Sequence, residues 1–173
     1  MTRPTFILLM GPSGCGKSTV GPQLAGRLAG LYLEGDDFHP PANKAKMATG
    51  TPLDDADRWP WFDLLREAVA RALADQPDRP VVLACSALRR RYRDYLLAGH
   101  PPGTARIVFL SGTRDLIASR LSDRVHEYMP ATLLDSQFAA LEAPDPDEQA
   151  IIAEIGRTPD ALVDAIVREL GAR

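Results

Sequence analysis

The chain has 173 residues, 45% of them hydrophobic and 25% charged, a balance that suits one domain with its own core and excludes disordered and fibrous classes. Its 20 basic and 23 acidic side chains leave a formal net charge of −3, and the one dense basic tract, Arg89-Arg90-Arg91 beside Arg93, is too small to mark a nucleic-acid binder. No apolar stretch approaches membrane-spanning length and no signal segment opens the chain, so no membrane partner and a cytoplasmic location are expected, with Cys15 and Cys85 as reduced thiols.

Thr5 to Met10 is a short continuous apolar run ended by Gly11-Pro12, which predicts a strand buried on both faces of a parallel sheet. A helix is expected from Lys17 to about Ala29. Leu31 to Leu33 follows as a short strand closing on the acidic turn Glu34-Gly35-Asp36-Asp37. Ala42 to Pro60 is rich in Pro, Gly and Asp, with about one helical turn expected near Asn43 to Ala48, and Trp61 to Ala74 reads as an amphipathic helix. Further buried strands are predicted at Val81 to Cys85, Arg106 to Leu110 and Ile151 to Ile155. Helices are predicted at Arg89 to Ala98, Arg114 to Leu121 and Pro130 to Leu141, and a last one after the N-cap and proline of Thr158-Pro159, ending near Leu170. Alternating strands and helices imply an α/β fold, a three-layer α/β/α sandwich around a parallel sheet with ligands at the carboxyl ends of the strands. The whole chain, residues 1–173, reads as a single domain.

Gly11-Pro-Ser-Gly-Cys-Gly16-Lys17-Ser18 matches the P-loop pattern and lies between a predicted strand and a predicted helix, the context the motif requires. Backbone N–H groups from Gly11, Ser13, Gly14, Cys15 and Gly16 through Thr19 are expected to cradle the phosphates of ATP at the positive end of the following helix. Lys17 is expected to reach the β- and γ-phosphates, and Ser18 to supply a hydroxyl to Mg²⁺. Cys15, inside the cradle, reads as small apolar filling. A guanine-reading Asn-Lys-x-Asp is missing, because Asn43-Lys44-Ala45-Lys46 ends in lysine, and this weighs against a GTP switch.

The acceptor has to be argued from the remaining polar residues. Glu34, Asp36 and Asp37 follow the second strand, which is expected to lie beside the first. Such carboxylates bind Mg²⁺ water or orient a hydroxyl, and Asp36 is the expected catalytic acid. Arg58, Arg89 and Arg90 offer planar forks for a carboxylate or phosphate, His39, Asn43 and Lys46 add groups suited to a polyol, and Ser86 is expected with Asp36, His39, Lys46, Arg58 and Arg89 to hold the acceptor.

Leu33-Glu-Gly-Asp-Asp-Phe-His-Pro40, Asn43-Lys-Ala-Lys-Met47, Gly50-Thr-Pro-Leu53, Asp57-Arg-Trp-Pro-Trp61 and Cys85-Ser-Ala-Leu88 with Tyr92-Arg-Asp94 resemble the gluconokinases over nearly the whole chain. Gln137-Phe138 and Leu141-Glu142 extend the resemblance. It implies a dimeric, cytoplasmic kinase of the nucleoside-monophosphate-kinase-like fold that converts D-gluconate and ATP to 6-phosphogluconate and ADP. An acceptor-binding insertion is expected at about 36–61 and a mobile lid at about 119–130. By similarity to the related shikimate kinases, Glu34 falls near the Mg²⁺ water and Asp36 on the acceptor hydroxyl. Arg120 is expected on adenine, with Arg124 reaching ATP from the lid. The lid departs from the pattern Arg-x-Gly-His-Phe, reading Arg124-Val-His-Glu-Tyr128, so His126 is displaced by one position and reads as a lid-surface side chain. Another P-loop kinase, for shikimate or a nucleotide, and a nucleotide-binding regulator are the alternative readings.

Overall fold

The computed structural model describes residues 4–123 and 131–172. Five parallel strands form one sheet in the order β2-β3-β1-β4-β5. They are β1 (Phe6–Met10), β2 (Leu31–Glu34), β3 (Val81–Ala84), β4 (Ala105–Ser111) and β5 (Ile151–Glu154). β1 and β3 are buried along their whole length, as their unbroken apolar sequences predict, while β5 alternates buried and exposed residues, as befits an edge strand. The order corrects one expectation: β2 is an edge strand, and β3 lies between it and β1. The residues after β2 therefore reach the P-loop across the end of β3.

Among the described residues seven α-helices accompany these strands: α1 (Lys17–Arg27), α2 (Pro41–Ala48), α3 (Asp55–Asp75), α4 (Arg90–Leu97), α5 (Arg114–Ser122), α6 (Ala131–Ala140) and, after β5, α7 (Pro159–Ala172). α3 begins six residues before the predicted start at Trp61. Asp54 accepts from the Asp57 N–H at 2.9 Å and Asp57 accepts from the Asp54 N–H at 2.9 Å, a reciprocal cap that nucleates the first turn. Pro60, expected as the last residue before the helix, sits inside it instead. It lies close enough to that capped end that the loss of one backbone bond is tolerated. α2 has 8 residues, longer than the single turn expected, with Pro41 at its first position.

The period-2 alternation of strand side chains divides the core into two compartments. Ile7 and Leu9 of β1 pack with Val20 and Leu24 of α1 and with Leu162, Val163 and Ile166 of α7. Phe6, Leu8 and Met10 point to the opposite face, against Trp61, Phe62 and Leu65 of α3 and Tyr92 and Leu96 of α4. All three loops that leave the carboxyl ends of β1, β2 and β3 open on one edge of the sheet. Gly35 permits the closest approach between them, because a Cβ there would stand 2.2 Å from the Ala84 carbonyl oxygen. No helix among the described residues is long and apolar enough to cross a membrane.

Candidate active site

The P-loop leaves β1 and turns into α1 through left-handed backbone at Gly14 (φ 84°) and Gly16 (φ 106°), which side-chain-bearing residues rarely adopt. At Gly14 the packing is also too close for a Cβ, which would meet Leu121 Cγ at 2.7 Å. Lys17 folds back over the loop, its Nζ donating to the carbonyl oxygens of Gly11 at 2.7 Å and Pro12 at 3.2 Å. Cys15 is buried and fills space under Gly11, which matches the reading of it as small apolar filling. The Gly11 N–H donates to the Ser86 carbonyl at 3.2 Å, joining the P-loop to the loop after β3.

Glu34, at the end of β2, accepts two hydroxyl hydrogen bonds on one oxygen: from Ser18 Oγ at 2.9 Å and from Tyr32 at 2.6 Å. Burial, with the Glu34 carboxylate next in importance, pushes the Tyr32 phenol above its usual range, so it stays a donor. Hydroxyl and carboxylate form the hard-oxygen pair that suits Mg²⁺ when phosphates and water supply its remaining ligands. The described residues contain no cluster of three or more acidic, His or Cys side chains able to hold a metal alone.

Asp36 follows in a single 3-10 turn, Gly35–Phe38. Its side chain is 76% exposed, and its Oδ1 lies 3.6 Å from Nε2 of His39, whose own side chain is 4% exposed. His39 first, and then Lys17, hold the Asp36 carboxyl below the ordinary carboxylate range. The His39 ring stacks on Trp61 with centroids 3.8 Å apart, and Trp61 Nε1 donates to the Gly35 carbonyl at 2.8 Å. Asn43 Nδ2 donates to the Asp57 carbonyl at 2.9 Å and approaches His39 Nδ1 at 3.4 Å. An amide nitrogen can only donate, which makes Nδ1 the acceptor and leaves the Nε2 proton facing Asp36. His39, expected as an acceptor ligand, is thus buried behind Asp36 and orients it.

The remaining acceptor-side candidates differ in how far the protein already occupies them. Lys46 pairs with Asp57 at 2.5 Å and with Asp54 at 3.5 Å, tying α2 to the first turn of α3. Arg58 donates to the Leu53 carbonyl and stands over the Tyr92 ring at 5.4 Å from its centroid. Arg89, at the N-cap of α4, is half-buried, and while its carbonyl accepts from the Tyr92 and Arg93 N–H groups, its guanidinium has no hydrogen-bond or ion-pair partner among the described residues. Ser86 lies half-buried after β3, beside Cys85, whose thiol burial pushes up to about 12 and so keeps unreactive.

On the far side of the P-loop a cavity of about 260 Å³ is lined by Gly14 to Gly16, Thr19, Arg120, Arg157, Pro159 and Leu162. Arg120 donates to the Ile155 carbonyl at its wall. Arg157 was given no role by the sequence, although the loop after a late strand, followed by the Thr158-Pro159 helix start, was the signal that pointed to a site edge. Gln137 was also given none. It accepts from the Ser13 N–H at 2.7 Å and donates to Ser13 Oγ at 3.0 Å. Arg124 and His126, and with them most of the expected lid, lie outside the described residues.

A parallel sheet with a P-loop after its central strand, a hydroxyl–carboxylate pair beside it and an acid on the neighbouring loop defines a P-loop kinase of small molecules. Residues 6–144 match the family described as AAA domain. The chain is 42% identical to the gluconokinase of Gluconobacter oxydans over 98% of its own length and 93% of that protein's. It superposes on a crystal structure of a gluconokinase from Sinorhizobium meliloti with a TM-score of 0.88 and 37% identity, covering 99% and 94% of the two chains. A shikimate kinase from Bacteroides thetaiotaomicron, with a TM-score of 0.63, 20% identity and 96% and 98% of the chains covered, shares the fold alone. The chain belongs to the gluconokinase family.

Proposed function

We propose that this protein transfers the γ-phosphoryl group of ATP to D-gluconate, giving 6-phospho-D-gluconate and ADP. The observation that carries the reading is Asp36, an ionised carboxylate oriented by His39 and close enough to Lys17 to feel its charge. Phosphoryl transfer is loose and largely dissociative, so the protein's work is positioning and charge stabilisation more than covalent chemistry. Asp36 orients the acceptor hydroxyl and takes its proton late. Lys17 leaves the Gly11 and Pro12 carbonyls for the β- and γ-phosphate oxygens, and backbone N–H groups of the P-loop hold the rest of the chain of phosphates.

Mg²⁺ supplies charge neutralisation between the β- and γ-phosphates when bound, and Ser18 and Glu34 are the residues that would hold it, directly or through water. Arg120 and Arg157 line the end of the cradle suited to the base, with Arg124 of the 119–130 lid as a further contact to ATP. On the acceptor side, Arg89 is the better candidate than Arg58 for the gluconate carboxylate, because its guanidinium is uncommitted among the described residues. Ser86 meets the hydroxyls beside it, and Lys46 acts mainly by holding the 36–61 segment in place. We also assign the protein to the cytoplasm and to a homodimer, following the resemblance.

A coupled ADP-release assay against gluconate, shikimate, glycerate and nucleoside monophosphates tests the reading. Rapid turnover with gluconate alone is expected. Preference for another acceptor would overturn the substrate, and acceptor-independent turnover, or none, would overturn the kinase reading for this chain.

A further inference from the structure

Two short segments of α6 and its exit, Gln137-Phe138 and Leu141-Glu142, stand outside the phosphate cradle and the acid pair, yet the structure ties them to both substrate loops. At one end, the Gln137 amide grips Ser13 of the P-loop twice, accepting from its N–H at 2.7 Å and donating to its hydroxyl at 3.0 Å. At the other end, Glu142 makes three bonds, one to the loop after β3 and two to the first turn of α4 that the loop enters. Its N–H donates to the Leu88 carbonyl at 2.8 Å, its carboxylate accepts from the Arg90 N–H at 2.8 Å, and its carbonyl accepts from buried Arg93 at 2.9 Å. Between them Phe138 packs on the α1/α7 compartment of the core and Leu141 on the α3/α4 compartment, so these six residues cross the carboxyl edge of the sheet.

A segment bonded to the donor loop at one end and the acceptor loop at the other fixes the distance between them. We propose that Gln137 is a positioning residue for phosphoryl transfer, setting the outer turn of the P-loop relative to the acceptor loop through Ser13. It rests on the kinase reading above but not on which acceptor is used. Ser13 precedes the Gly14 to Thr19 stretch that leads into α1, and its N–H, expected among the phosphate donors, is instead committed to Gln137, so the clamp holds the outer end of the loop. Displacements of about 1 Å at a reacting centre cost up to about a hundredfold in rate, so losing one anchor of the loop should be read in kcat.

The test is Gln137→Met, which keeps the length of the side chain and removes both hydrogen bonds, assayed with the acceptor that the unmodified protein uses best. The expected result is a fall in kcat of about tenfold. KM for the acceptor and ADP affinity by calorimetry should each stay within about twofold, because the Gln137 amide is engaged with Ser13 through both its oxygen and its nitrogen. Ser13→Ala removes only the hydroxyl bond and leaves the N–H bond, and should lower kcat by about threefold in the same pattern. This second variant decides the matter if Gln137→Met fails to fold. Unchanged kcat in either folded variant overturns the proposal, as does a loss of ADP affinity that matches the loss of kcat. Failure of the kinase reading would instead appear in the unmodified protein, as an absence of any acceptor.

Discussion

Asp36 combines two properties that usually oppose each other, exposure to incoming substrate and a fixed orientation, and it does so by leaning on a buried histidine. His39 is locked by Trp61 on its face and by Asn43 at Nδ1, so the carboxylate in front of it has one preferred partner. Asp36→Asn keeps the shape but removes charge and basicity. It should lower kcat by about a hundredfold or more while ATP binding, followed by calorimetry, stays within about a few-fold. Because His39 and Lys17 hold the Asp36 carboxyl low, the group remains ionised down through the usual carboxylate range as pH falls. The acid limb of kcat/KM assigned to Asp36 should therefore lie below that of an ordinary aspartate, and should move upward in His39→Gln, which removes the principal cause of the shift. A limb unmoved by that substitution would separate His39 from Asp36.

The two arginines make a sharper contrast at the same scale. Arg58 already donates to a carbonyl and lies over Tyr92, whereas Arg89 has no such commitment among the described residues. Arg89→Leu should raise KM for gluconate and narrow the gap between gluconate and glucose, which lacks the carboxylate, while Arg58→Leu acts mainly on stability. In the unmodified protein that gap should approach about 10⁴ in kcat/KM, since a site built to pair a charge rejects an analogue that leaves it unpaired. Equal use of the two sugars would remove the carboxylate from the argument.

Among the elements, α4 is anchored by an ion pair that the sequence concealed. Arg93 is fully buried and directs Nε and Nη2 at the two Glu148 oxygens at 2.6 and 2.8 Å, while Nη1 serves the carbonyls of Ala87, Leu88 and Glu142. Burial alone would raise the Glu148 carboxyl, but Arg93 and the Asp145 N–H outweigh it and hold it below its ordinary value. A depressed carboxyl contributes stability that is present above its unfolded pKa and is lost as pH falls through the folded one. Arg93→Ala should destabilise the fold by about 3 to 5 kcal/mol in urea titrations at neutral pH, because it strands a buried carboxylate, and that difference should shrink on acidification. In the sequence Arg93 was one of a run of four nearby arginines, and Glu148 lies 55 positions away in a Pro- and Asp-rich loop, so no local pattern could pair them.

The same physical limit separates what was legible from what was not. Strands β1, β3 and β4 announced themselves as apolar runs between breakers, and the P-loop fixed the α1 boundary. The start of α3 was missed because Pro60 closed a stretch rich in Pro, Gly and Asp, whereas the Asp54–Asp57 cap, a signal equally present in the sequence, outweighed it. Strand order, the place of His39 behind Asp36, Arg157 in the cavity beside the P-loop and the Gln137–Ser13 clamp all depend on contacts across many residues, which propensity and spacing do not encode.

For the whole molecule, the sheet acts as a wall between two packed interiors. Leu24 and Leu65 are both fully buried, the first under α1 and the second under α3, in separate compartments. Each Leu→Ala change should destabilise the protein by about 2 to 5 kcal/mol, through lost transfer energy and the cavity left behind. Because they share no packing partners, the double variant should show the sum within about 0.5 kcal/mol by chemical denaturation. Strong coupling between them would mean that the sheet transmits strain from one side to the other.

That partition also bears on how such a protein can change its chemistry over generations. The P-loop, through Cys15, and α1 rest on the interior shared with α7, whereas the turn after β2, through Phe38, and α3 rest on the interior built around Trp61 and Phe62. Substitutions that refit the pocket to a different acceptor can thus accumulate on one side without loosening the machinery for ATP on the other. The architecture is modular across one sheet, and its seam is the short stretch from Gln137 to Glu142, where drift on either side would have to be matched.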